Sequence, residues 1–285
     1  MTALDNLITQ DLTDLFANGR IANAKMMSGS ILSNGKPILL SSKGCPTHYT
    51  GQREAKTVFV NLNPGGDATI NDCAFQQLKA KYNWASINDF INWYHKKSQV
   101  MFGCTGVGIF DLKTAVFLSQ WPSSNITFPA GFPQKKETFC CANEAALRQK
   151  LQLELLPYCS QSFHQFQIRR INDFFPYLET VLEEIFEKPR EYVIFGSGKF
   201  ETLFKAYIKG ANMRYNIDLK AHPKVPVYIT TTLKGNCQVI YLYRGDECQK
   251  AIIAHTFPSY ALPKAYNLMS IYGKLCCNEY LNSLP

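Results

Sequence analysis

"TVFVNLNPGG", residues 57–66, runs an unbroken apolar segment into Asn-Pro-Gly-Gly, and its reading decides the fold. Residues 57–62 read as a strand, and Pro64 ends its ladder because proline has no backbone donor to give. Gly65 and Gly66 permit positive dihedral angles and let a ligand approach the backbone closely. Asn63 stands where the strand stops and offers both an acceptor and a donor, enough to orient a water or read a base edge. A plain Asx-Pro-Gly turn carries the same local signature, so the rest of the chain has to separate the two readings.

Outward from this strand, short apolar runs alternate with helical stretches. Further strands are expected at "TAVFLS" (114–119), "EYVIFG" (191–196) and "KAIIAH" (250–255), and a hairpin joins "VPVYITTT" (225–232) to "QVIYLYR" (238–244). Helices are expected near 86–97, 144–156, 173–187, 199–209 and 264–281, with Pro176 suited to a first turn. The predicted fold class is α/β, a three-layer α/β/α sandwich with a mainly parallel four-stranded central sheet. Residues 1–50 read as an amino-terminal extension, a helix near 6–18 carrying Leu7, Leu12 and Leu15 followed by a turn-rich stretch; residues 51–285 read as the main domain. Open parallel sheets bind ligands outside the carboxyl ends of their strands. The Asn63–Gly66 turn follows one such end and "HTFPS" (255–259) follows another.

Composition narrows the function classes. The 285 residues are 46% hydrophobic, enough for an ordinary buried core, yet no run approaches the roughly 18 apolar residues of a membrane span. The amino terminus carries acids where a secretion signal would carry bases, so a cytoplasmic location is expected, or a nuclear one in a eukaryote. Ten cysteines include no C-x-x-C, and the adjacent pairs Cys140-Cys141 and Cys276-Cys277 make poor tetrahedral ligand sets. Reduced thiols packed as small hydrophobes are expected, with no metal and no cofactor. The formal net charge of +8 favours polyanionic partners. "FGSGKF" (195–200) lacks the earlier glycine and the Ser or Thr after Lys that a phosphate-binding P-loop needs, and reads as a strand-to-helix turn.

"VNLNPGG" at the end of the first strand, Phe75 twelve positions after Asn63, and "HTFPS" after the last parallel strand together resemble the uracil-DNA glycosylase superfamily, nearest to its mismatch-specific and single-strand-selective branches. The resemblance covers roughly residues 55–280 in element order. It implies a monomeric, metal-independent enzyme that flips a uracil-type or modified pyrimidine out of single- or double-stranded DNA and hydrolyses its N-glycosidic bond. Asn63 would hold the attacking water, Phe75 would stack on the extruded base, and His255 would stabilise the departing anion. Pro64, Gly65, Gly66, Gln120 and Ser259 would line the base pocket. With Gly65 where some members carry a bulky side chain, thymine-like bases would be admitted. Tyr260 or Leu262 would fill the gap left in the duplex, and Lys264 at a helix start would meet a phosphate.

The family's second motif places His directly before Pro-Ser, whereas this chain inserts Thr256 and Phe257. Either His255 or Phe257 therefore takes the motif position. A non-catalytic nucleic-acid or nucleotide binder of the same fold stands beside the enzyme reading, as does a small-molecule hydrolase on an unrelated α/β sheet.

Overall fold

The structure, a computed structural model, describes residues 1–33, 35–62, 68–99, 109–122, 149–160, 166–211, 213–257 and 264–283. Strand β4 (Thr57–Asn61) is buried at every position. It runs parallel to β7 (Tyr192–Phe195), with Val58 opposite Val193 and Val60 opposite Phe195. β7 in turn runs parallel to β11 (Glu247–Ala254), where Ile253 faces Phe195. On the other side of β4 lies β5 (Lys150–Glu154). Leu155 N–H donates to the Asn61 carbonyl at 2.9 Å and Leu156 N–H to that of Leu62 at 2.8 Å, an advance in the same sense along both segments that marks a parallel pair.

Four central strands thus run parallel in the order β5-β4-β7-β11, and antiparallel strands extend them to a mixed eight-stranded sheet. β3 (Tyr49–Gly51) borders β5. Beyond β11, β10 (Lys234–Arg244) pairs antiparallel with β11, with β8 (Asn216–Asp218) and with β9 (Val225–Tyr228). The β10–β11 loop has two residues between Arg244 and Glu247, and Gly245 at φ 59° takes the left-handed first position that such a hairpin needs. A second, three-stranded sheet joins β1 (Ile31–Ser33) to β2 (Lys36–Pro37) and to β6 (Phe166–Ile168).

The described helices are α1 (Ala3–Asn18), α2 (Ala22–Ser28), α3 (Ala68–Tyr82), α4 (Ile87–Gln99), α5 (Ile109–Leu118), α6 (Phe175–Phe186), α7 (Lys199–Tyr207) and α8 (Lys264–Asn282). Two sequence expectations are corrected here. "TAVFLS" is the end of helix α5, not a strand: Lys113 through Leu118 are all buried, and a helix buried all round loses the periodicity that would identify it. Conversely, part of the helix expected over 144–156 is strand β5. Its Lys, Gln, Leu and Glu are good helix formers, but Leu151 and Leu153 alternate with Lys150, Gln152 and Glu154, the period of a strand. The three polar side chains are buried too, and they pair: Lys150 Nζ donates to Gln152 Oε1 at 2.5 Å and Asn61 Nδ2 to Glu154 Oε1 at 2.9 Å. The second of the four central strands in chain order is therefore β5.

The chain divides into two compact units, each assembled from separated segments. The first takes residues 1–49, 61–98 and 153–184. Helix α1 opens with a capping box in which Thr2 and Asp5 exchange hydrogen bonds, and it buries Leu4, Ile8, Asp11, Leu12 and Leu15. Asp11 is fully enclosed: its Oδ2 accepts from His48 Nε2 at 3.0 Å and Tyr158 OH at 2.8 Å, and its Oδ1 accepts from Asn23 Nδ2 at 3.0 Å. His48 Nδ1 meets Tyr94 OH at 2.9 Å, so this buried carboxyl sits in a hydrogen-bonded network.

The second unit takes residues 50–60, 99–152 and 185–285 and holds helices on both faces of its sheet. On one face Phe59, Ile194 and Ile252 pack with Phe117 of α5 and Met269 and Tyr272 of α8. On the other, Phe195 meets Phe200 and Phe204 of α7 at ring-centroid distances of 4.9 and 5.0 Å. Helices α5 and α8 touch through Gly273: a Cβ there would overlap the Phe117 carbonyl oxygen and lie 3.0 Å from its carbon and Cα.

Candidate functional site at the strand ends

The register that pairs Val60, Phe195 and Ile253 brings β4, β7 and β11 to a common carboxyl edge. In chain order the central strands lie 2-1-3-4, so successive connections leave β4 in opposite directions and the order reverses between β4 and β7. In open α/β sheets ligands bind outside the strand ends at such a switch point.

The loop after β7 is Gly196-Ser197-Gly198, and backbone bonds tie it to both neighbours. Gly196 N–H donates to the Val60 carbonyl at 2.8 Å, and Gly198 N–H to that of His255 at 3.2 Å. A Cβ on Gly198 would lie 3.0 Å from His255 Nδ1 and 3.3 Å from its carbonyl oxygen, so glycine here lets the loop close onto the end of β11.

His255 is the best-described of the expected site residues. Its side chain is 8% exposed, and Nδ1 stands 3.5 Å from Glu201 Oε2. Glu201, in the first turn of α7, accepts from Lys205 Nζ and Lys224 Nζ, each at 2.5 Å. Burial alone would raise the Glu201 carboxyl, but the hydrogen bonds and charge of these lysines prevail and hold it at about 2. Burial, with Lys224 and Lys205 adding, pulls His255 down to about 4 against the opposing pull of Glu201. The imidazole is therefore neutral near pH 7. A carboxylate facing Nδ1 favours the tautomer with its proton there, leaving Nε2 as a lone pair. Nε2 is enclosed and has no hydrogen-bond partner among the described residues. In this state His255 accepts; donating to a departing anion requires the other tautomer.

Of the two residues competing for the second motif's position, Phe257 is packed in the core, its ring 5.0 Å from Phe59 and 5.3 Å from Phe117. Gln120 lies in a turn just past α5, not on a strand, so strand alternation does not govern where it points. It is half-buried, and its Nε2 donates to Ser119 Oγ at 2.9 Å. Phe75 is fully buried on α3, its ring 6.5 Å from Trp84 and 5.4 Å from Phe90. Asn63, Pro64, Gly65, Gly66, Ser259, Tyr260 and Leu262 lie outside the described residues, and Lys264 opens α8 with its side chain outside them.

Sequence reading missed Glu201, Lys205 and Lys224. The Glu201-to-Lys205 spacing of four on a helix was a readable signal, whereas nothing local marks Lys224. Among the described residues no cluster of three His, Cys, Asp or Glu side chains could hold a metal, and no helix is long and apolar enough to cross a membrane. No family model, curated protein or solved structure matches the chain.

Proposed function

We propose that this chain is a DNA glycosylase-like protein that takes up a flipped pyrimidine at the carboxyl ends of its parallel strands and hydrolyses its N-glycosidic bond. The observation that carries the reading is topological: the order reverses between β4, which Asn63-Pro64-Gly65-Gly66 follows in sequence, and β7. In the motif resemblance Asn63 holds the attacking water. Neutral His255 beside Glu201 supplies a polar group whose proton position decides whether it steadies that water or the departing base. Net positive charge supports attraction to the phosphate backbone.

The test is an excision screen on single- and double-stranded oligonucleotides bearing uracil, mismatched thymine or other modified pyrimidines, with abasic sites revealed by alkaline cleavage. Release of one of these bases is expected, and Asn63→Ala is expected to slow it by about 100-fold while leaving DNA affinity nearly intact. Absence of both binding and release across the panel refutes the reading. A second reading, a binder that does not cleave, is favoured by His255 itself, held against Glu201 with Nε2 as an acceptor. It predicts lesion-DNA binding without base release and no effect of His255→Ala on that binding.

A further inference from the structure

Helix α3 ends at Tyr82, and Asn83 takes the left-handed conformation at φ 45°, its N–H donating to the Lys79 carbonyl at 3.0 Å. This cap reverses the chain and folds Trp84 back over the helix end. Tyr82 and Trp84 stack with centroids 5.7 Å apart and planes 13° from parallel; Trp84 and Phe75 stack at 6.5 Å and 20°. Three nearly parallel rings therefore step outward from Phe75, which is 0% exposed, through half-buried Trp84 to Tyr82, which is 38% exposed. Trp93 of α4 supports the outer two, its ring 5.5 Å from Tyr82 and 5.1 Å from Trp84.

The rim of this ladder is basic. Lys81 Nζ rests 5.4 Å from the Tyr82 ring centroid, and exposed Lys96 and Lys97 lie one turn beyond Trp93 on α4. The one acid of α4, Asp89, is at the opposite end and is engaged by the Ser86 N–H and hydroxyl, each at 2.9 Å. An exposed aromatic ring edged by cations is the chemistry by which single-stranded nucleic acid is held without sequence preference: bases stack on the ring and lysines follow the phosphates.

We propose that Tyr82, backed by Trp84 and Trp93 and flanked by Lys81, Lys96 and Lys97, is a stacking platform for a base of single-stranded nucleic acid. The incoming base extends the ladder by one rung. Lys81 moves off the ring and onto a phosphate, exchanging a cation–π contact for an ion pair. This site does not rest on the switch-point reading, because it requires no chemistry at Asn63 or His255.

The experiment is a titration of the full chain with short oligothymidylate at low salt, read by tryptophan emission. Of the three tryptophans, Trp84 and Trp93 report on the platform, while Trp121 is 1% exposed in the core of the second unit. Saturable quenching that weakens as salt rises is expected. Tyr82→Ala should weaken binding on the order of 10-fold, and Tyr82→Phe should preserve it. Replacing the exposed Lys81, Lys96 and Lys97 by Gln puts no buried contact at risk and should flatten the salt dependence. The proposal is overturned by absence of quenching in the folded protein, by quenching indifferent to both the tyrosine and lysine changes, or by equal quenching with polyglutamate.

Discussion

Gly273 sits in the middle of helix α8, where exchange of glycine for alanine would ordinarily stabilise a helix by about 1 kcal/mol. The packing predicts the opposite sign. The new methyl would overlap the Phe117 carbonyl oxygen and press on the same residue's carbonyl carbon and Cα at 3.0 Å. All three are backbone atoms of α5, so no side-chain rotation relieves the contact, and one helix must move away from the other by several tenths of an ångström. That movement loosens a cluster in which Phe117, Trp121, Met269, Tyr272 and Cys276 are all buried. Overpacking of this kind costs about 1–3 kcal/mol, and a backbone obstacle belongs at the upper end. After the propensity gain, Gly273→Ala should be destabilising by about 2 kcal/mol. At roughly 2–4 °C per kcal/mol for a chain of this size class, the thermal midpoint should fall by about 4–8 °C. Urea unfolding read through Trp121, whose ring lies 6.0 Å from Phe117, checks this locally once Trp84 and Trp93 are replaced by Phe. A midpoint that is unchanged or raised, with an unchanged slope, would falsify the close-approach argument.

His255 is held at about 4 in the folded chain against an ordinary value of 6.5, so between these values the unfolded chain binds the extra proton. Its contribution to stability is full above about pH 6.5 and is lost as pH falls toward 4; His255→Gln should flatten the dependence of the urea midpoint across that window, and Lys224→Met should raise the histidine's titration point in an NMR titration. Asp11→Ala removes the acceptor shared by His48, Tyr158 and Asn23 and should cost about 1–3 kcal/mol in chemical denaturation through the buried donors left unpaired, and a loss well under about 1 kcal/mol would show that the network contributes little.

The strands legible in the sequence were those whose burial and flanking turns agree. β4, β7 and β11 are apolar runs ended by Asn-Pro, Gly-Ser and His-Thr, and α6, α7 and α8 show ordinary helical spacing. The exchange of α5 for β5 has two causes: burial removes the polar face on which period reading depends in a helix of Thr, Ala, Val and Phe, whereas in β5 the helix formers Lys, Gln and Glu outweighed a short two-residue alternation. At the site, His255 was visible because a strand ended there. The charges that set its state were not, since Lys224 reaches Glu201 across 23 residues of chain. Asp11 was equally hidden, because its partners His48 and Tyr158 are 37 and 147 positions away and only tertiary structure makes an acid in an amphipathic helix an interior residue.

The interleaving of the two units bears on how the molecule is made. The first cannot close until residues 153–184 have been synthesised, and the second needs α8, which ends at Asn282, to cover one face of its sheet. At a translation rate of about 5–20 residues per second, the nascent chain carries β4 with its neighbours β5 and β7 still missing for several seconds. Neither unit is a contiguous piece of sequence, and although the last segment of the first ends at residue 184, the second still lacks residues 185–285 at that point. A chaperone that shields exposed β4 during that interval should raise the folded yield more than one that acts only after release.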